Sequence, residues 1–212
     1  MKRILSIKII LCLFLLALTN NKTYSQKGYE PGFIITNQND TLFGSIRDRV
    51  ISNFNSKIYP KIKFKKKGKR RHKKYSPNMI NGYTVSNRNY VSLNVEAESV
   101  FFKTTYTVNN SQKKNRFVRR VRNGYLSYYH VEYIDEDNDT IEFEDFFKKQ
   151  NSNKLVRVTQ GVFGLKRKKL IAYFSDCPEL QSKLKNKEVK TPMEVMNYYN
   201  NWIRKIKENS ST

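Results

Sequence analysis

Gly32-Phe33-Ile34-Ile35-Thr36-Asn37-Gln38-Asn39-Asp40-Thr41-Leu42-Phe43-Gly44-Ser45-Ile46 reads as two β-rich runs about a turn. Residues 32–36 run out, Asn37 to Asp40 supply turn chemistry, and residues 41–46 return, so a hairpin is predicted over residues 32–48. The same punctuation recurs along the chain. Lys57-Ile58-Tyr59-Pro60-Lys61-Ile62-Lys63-Phe64-Lys65 alternates apolar and basic residues, which puts Ile58, Ile62 and Phe64 on one face of a strand and lysines on the other. Pro60 cannot donate a ladder hydrogen bond and predicts an edge. Further strands are predicted at residues 80–85, 90–95, 100–108, 116–121, 125–133, 140–146 and 154–158, separated by short Asn-, Ser- and Gly-containing turns. Strands this short and close predict an antiparallel, meander-like sheet that manages its edges by curling into a partly open barrel or a sandwich. Asn39-Asp40-Thr41 returns as Asn138-Asp139-Thr140, each time before a strand, which shared turn chemistry explains without an internal repeat.

Beyond Gly161 the apolar spacing becomes helical. Phe163, Leu165, Leu170, Ile171, Tyr173 and Phe174 suit a helix carrying Lys166-Arg167-Lys168-Lys169 outward, and Ser175 or Asp176 can cap a second helix. Thr191, Pro192 and Glu194 form a capping-box start for a third helix, whose stripe is Val195, Tyr199, Trp202, Ile203 and Ile206. The predicted class is therefore α+β and β-rich, with an antiparallel β domain over residues 26–160 and a helical segment over residues 161–212 packed on the sheet.

The first residues bear on location. Lys2, Arg3 and Lys8 precede an apolar run at residues 9–18, and a polar segment ends Thr23-Tyr24-Ser25-Gln26, the order of a signal peptide spanning residues 1–25. The run is about half the roughly 20 residues needed to span a bilayer. Cys12 is followed by more apolar residues, which speaks against a lipoprotein acceptor. Cys177 is then the sole cysteine of the exported chain, so no internal disulfide forms. The expected location is the periplasm or cell envelope, with full secretion as the alternative.

Charge dominates the composition: 41 Lys and Arg against 18 Asp and Glu give +23 over 212 residues. With 14 Tyr and 13 Phe the chain is too aromatic to remain disordered. Residues 61–74 hold ten Lys or Arg in fourteen positions, and Lys65, Lys66, Lys67, Lys69, Arg70, Arg71, Lys73 and Lys74 are candidate anion ligands. A second run, Lys113-Lys114-Asn115-Arg116-Phe117-Val118-Arg119-Arg120-Val121-Arg122, adds Arg119 and Arg120, on the same face if the strands are neighbours. The competing reading is a solvated hairpin tip that protects a sheet edge. Tyr125, Tyr128 and Tyr129 are read as packing residues before base-stacking ones.

Catalytic chemistry has little to build on. His72 and His130 lie in no nucleophile or metal motif, and no catalytic, cofactor-binding or metal-ligating residue is predicted. Asp135-Glu136-Asp137-Asn138-Asp139 alternates oxygen ligands but lacks the glycine and closing glutamate of a calcium loop. A carboxylate centre among Glu132 to Asp145 is the hydrolase alternative. Cys177 before Pro178 reads as a buried cap-region residue rather than an activated thiol.

The pattern from Gly32 to Ile46 resembles the opening of a group of uncharacterised exported proteins from Bacteroidetes. Tyr75-Ser76-Pro77 with Ile80-Asn81-Gly82-Tyr83, then residues 173–180, and Tyr198-Tyr199-Asn200 carry the resemblance along most of the chain. It implies a Gram-negative envelope setting, with relatives that carry such a segment beside an outer-membrane barrel, and it transfers no catalytic role. No barrel-length extension is expected after the last helix. The functional expectation is an exported envelope protein docking through its basic faces on an anionic glycan, lipopolysaccharide or a membrane surface. An interaction module for an outer-membrane protein is the second choice, and a specific nucleic acid is disfavoured.

Overall fold

The computed structural model describes residues 28–52, 55–100, 103–109, 115–161 and 163–210; the signal-peptide reading, Lys113 and Lys114 lie outside them. Eleven strands form one antiparallel sheet: β1 Glu30–Thr36, β2 Thr41–Val50, β3 Lys57–Lys66, β4 Lys73–Tyr75, β5 Ile80–Val85, β6 Arg88–Val100, β7 Lys103–Asn109, β8 Arg116–Arg122, β9 Leu126–Asp135, β10 Thr140–Lys149 and β11 Lys154–Arg157. Three helices follow: α1 Arg167–Tyr173, α2 Pro178–Lys185 and α3 Pro192–Asn209. The protein is β-rich α+β as expected. No helix among the described residues is long and apolar enough to cross a membrane.

The sheet order is β4-β3-β2-β1-β5-β6-β7-β11-β10-β9-β8, and β8 also pairs with β6. The six strands from β6 to β8 thereby close a barrel, which removes its edges. β4, β3, β2, β1 and β5 leave β6 as a wing. The meander breaks twice: the chain after β4 returns so that β5 pairs with β1, and the chain after β7 returns so that β8 pairs with β6. Tyr90 and Val91 are consecutive on β6 and so point to opposite faces. Tyr90 joins the wing core of Ile34, Ile46, Phe64 and Tyr83, whereas Val91 packs against the barrel core of Val118, Tyr129, Phe146 and Leu155. One strand thus feeds two cores.

Local chemistry explains most element ends. Asn39 and Asp139 both hold left-handed φ angles, of 67° and 55°, which Asn and Asp tolerate best among non-glycine residues. This is the shared basis of the two Asn-Asp-Thr turns. Pro60 marks a local uncovered edge, as its missing N–H predicts, although β3 as a whole lies between β2 and β4. It sits beyond the Ile62 to Phe64 stretch that β4 covers, and beside the register shift between Arg47 and Arg49 on β2, so no regular ladder needs its missing N–H. β4 itself was not predicted, since its lysines show no alternation.

The helices dock on the outer face of the barrel, where Leu126, Tyr128, Phe147 and Val156 meet Leu170, Phe174, Leu180 and Tyr199. The first helix starts later than its apolar spacing suggests. Gly161 and Gly164 take φ of 65° and 73°, Leu165 bridges back to Thr159, and Phe163 is 81% exposed. Neither Ser175 nor Asp176 caps α2: Cys177 holds that position without a side-chain bond, and Asp176 turns instead to Lys149 and Tyr199. The capping box of α3 forms as expected, with Thr191 Oγ1 accepting from the Glu194 N–H at 3.2 Å. Val195, Met196 and Tyr199 are its buried residues, while Ile206 is 43% exposed.

Candidate functional site

The β3–β4 hairpin carries the first basic run. Between Asp48 and Glu96 the chain contains no acidic residue. Gly68, at φ 78°, turns the hairpin, with nothing near the position a Cβ would take. Lys66, Lys67, Lys69, Arg70, Arg71, Lys73 and Lys74 are exposed and Lys65 is half-buried. Among the described residues no ion pair involves residues 61–74, so this charge has no internal counter-ion. Two lysines lean on tyrosine faces: Lys63 over Tyr59 at 5.4 Å and Lys73 over Tyr75 at 5.1 Å. These contacts orient the hairpin without neutralising it.

The outward face next to this hairpin is aromatic, which sequence reasoning missed. Ile46 and Phe64 turn into the wing core, so the alternate residues Phe43, Ser45, Lys63 and Lys65 face out. Phe33 and Phe43 pair across β1 and β2 with ring centroids 5.7 Å apart, and Phe43 is 63% exposed. The Phe43 carbonyl accepts the Lys67 N–H at 3.1 Å, placing the exposed ring at the root of the basic turn. Gly44 permits the close strand approach there, since a Cβ would meet the Lys65 carbonyl oxygen at 2.1 Å. A shallow depression between Phe33, Phe43 and Lys67 completes the surface.

The second basic run does not join it. β2, β1, β5 and β6 separate β8 from β3 in the sheet. Val118 points into the barrel, so Arg119 points the other way, with Nη1 3.7 Å from Glu132 Oε1. Arg120 lies opposite Tyr129 on the barrel side and is half-buried. Neither arginine extends the hairpin's docking face.

Arg119 belongs instead to a polar row created by register. Ile34, Tyr83, Tyr90, Arg119, His130 and Asp145 are successive direct cross-strand partners on one face of the sheet. The register shift in β2 turns the adjacent Asp48 and Arg49 inward together, 2% and 9% exposed. Arg49 Nη2 donates to Glu132 Oε2 at 2.7 Å and to Asp48 Oδ2 at 3.1 Å, and also bonds the Tyr90 hydroxyl. Tyr83 donates to Asp48 at 3.2 Å and Tyr90 to Glu132 at 2.9 Å. Arg88 ties Asp48 to Glu30. Burial works against the Arg49 charge, but Glu132 and Asp48 outweigh it and raise its pKa. The network contains Asp48, Glu132 and Glu30 against Arg49, Arg88 and Arg119, so it is neutral and joins wing to barrel.

Asp145 ends the row. Tyr128 donates a hydrogen bond to it, Thr159 donates at 2.7 Å, and His130 Nε2 stands 3.2 Å away under the stacked Phe143 ring. Burial pushes the Asp145 pKa up, but the nearby His130 imidazole and the hydrogen bonds from Tyr128 and Thr159 prevail and hold it below the ordinary value. Glu132 and Asp145 therefore stand as tied carboxylates, and neither lines a described cavity. At the tip, Asp135 spends its oxygens closing the turn, accepting from the Asp137 N–H and from Asn138 Nδ2 at 2.8 Å. Tyr128 and Tyr129 are buried and Tyr125 lies under Lys207, so these tyrosines form no stacking platform. Cys177 is fully buried, which raises its thiol pKa.

No family model, curated protein or solved structure matches the chain.

Proposed function

We propose that the protein is an exported envelope component that docks on an anionic lipid surface, membrane or lipopolysaccharide, through the β3–β4 hairpin and its adjoining aromatic face. The observation that carries this reading is a fourteen-residue segment with ten cations, none in an internal ion pair among the described residues, rooted beside the exposed Phe43. Lys and Arg attract phosphates at long range, each contributing about 1 kcal/mol near an anionic surface. A phenyl ring at the same level enters the headgroup region, where partly apolar side chains bind favourably. The export reading of residues 1–25 and the resemblance to exported Bacteroidetes proteins support the envelope setting.

Strand addition by an outer-membrane partner is the second reading. The uncovered stretch of β3 near Lys57 to Lys61 offers an edge, yet Pro60 and those lysines blunt it. The balance favours surface docking. The test is retention on heparin and on immobilised lipopolysaccharide across a salt series, comparing the parent with a variant carrying Gln at Lys65, Lys66, Lys67, Arg70 and Arg71. Retention should fall steeply with salt and with the substitutions. An unchanged salt profile in the variant sinks the proposal.

A further inference from the structure

An open, solvent-facing depression of about 690 Å³ lies between β9, β10, the Asn123 to Tyr125 loop and α3, and no residue of the basic hairpin lines it. Its volume is in the range of ordinary small-molecule sites. Among the described residues no carboxylate lines it; amides, hydroxyls and cations do. Ser127 and Lys148 are direct register partners on its floor, beside Tyr129.

The wall is fixed by groups already committed. Asn200 on α3 donates to the Leu126 carbonyl at 3.0 Å and accepts the Leu126 N–H at 2.8 Å. A Cβ at Gly124 would meet the Asn200 amide at 2.8 Å, so glycine is what lets the loop lie against α3. Lys149 is held by Asp176 at 2.7 Å and by the Tyr173 carbonyl at 3.0 Å. Two other cations face the depression, Lys148 and Arg204, and neither makes an ion pair among the described residues. Burial lowers the Lys148 pKa with no carboxylate to offset it, a cost that an arriving anion would relieve.

We propose that this depression binds a small acidic sugar, a polyhydroxylated ring whose single carboxylate or phosphate sits between Lys148 and Arg204. Asn123, Gln150 and Asn197 supply donors and acceptors for the hydroxyls, and the scarcity of apolar lining beyond Met196 and the tyrosines fits a polar ligand. Charge selects the acid, and the amides select the polyol.

The test is calorimetric titration of the protein at low salt with glucuronate, glucose 6-phosphate and glucose. At least one acid should bind, with glucose at least tenfold weaker. Binding by glucuronate alone or by glucose 6-phosphate alone identifies the anion and supports the site. Lys148→Gln and Arg204→Gln should each weaken the acid by about tenfold or more, the scale of a charge-assisted hydrogen bond, at an unchanged melting temperature. If Lys148→Gln fails to fold, Arg204→Gln on the exposed side of α3 carries the comparison. Neutralising Lys65, Lys66, Lys67, Arg70 and Arg71 should leave the titration unaltered. Equal binding of glucose, indifference to Arg204→Gln, no binding of either acid, or loss through the hairpin variant overturns the proposal.

Discussion

Replacing Arg49 with leucine should destabilise the protein by about 3–5 kcal/mol, because it strands Glu132 and Asp48 in a nearly dry interior without their shared counter-ion. Arg88 retains a 3.4 Å contact to Asp48 and Arg119 a 3.7 Å contact to Glu132, so the loss should stay within that range. Domains of this kind have about 5–15 kcal/mol in total, which makes the change large. Guanidinium unfolding followed by circular dichroism and by Trp202 fluorescence measures it. With a slope of roughly 2–6 kcal/mol per molar, the midpoint should fall by on the order of 1 M. The two probes should move together, since the network connects the wing to the barrel that supports α3. Combining Arg49→Leu with Glu132→Leu should cost less than the sum of the single changes, with a coupling of about 0.5–3 kcal/mol. A single-substitution loss below about 1 kcal/mol, the level of a solvent-exposed pair, refutes the reasoning.

The remaining predictions concern three other sites. Asp145 has a folded-state pKa below its ordinary value, so its stabilisation is complete above the unfolded pKa near 3.9 and disappears as pH falls through the folded value; unfolding free energies from pH 5 to pH 2 should fall less in Asp145→Asn than in the parent, and parallel curves contradict this. Thr191→Ala removes one half of the capping box and should cost about 1 kcal/mol, read as a drop of about 2–4 °C in melting temperature. Cys177, fully buried and with a raised pKa, should resist maleimide in the native protein and label fully in denaturant; rapid native labelling contradicts its placement.

Features set by neighbours in sequence were legible. The first hairpin, the alternation in β3 and the capping box of α3 each depend on a few adjacent residues, and each forms where expected. Features set by register were not. The polar row unites Tyr83, Tyr90, Arg119, His130 and Asp145 from five strands, and no local pattern encodes which residues stand opposite one another. The composition of its run suggests Arg119 as an anion ligand, and the inward turn of Val118 sets its guanidinium 3.7 Å from Glu132. The inward turn of both Asp48 and Arg49 requires a bulge that the apolar pattern conceals. Nothing local assigns Phe43 a face; Ile46 fills the core side of its strand and leaves the phenyl ring outside beside Lys67.

Co-sedimentation with phosphatidylglycerol and phosphatidylcholine vesicles, at about 0.1 M and 1 M salt, tests the docking claim most directly, because the screening length shrinks from about 10 Å to about 3 Å between them. The account predicts binding to the anionic vesicles alone, its loss at high salt, and near abolition by the five glutamine substitutions, at about 1 kcal/mol per charge removed. Phe43→Ser should weaken vesicle binding while leaving heparin retention and the salt slope in place. A five-glutamine variant that sediments with anionic vesicles as well as the parent contradicts the account.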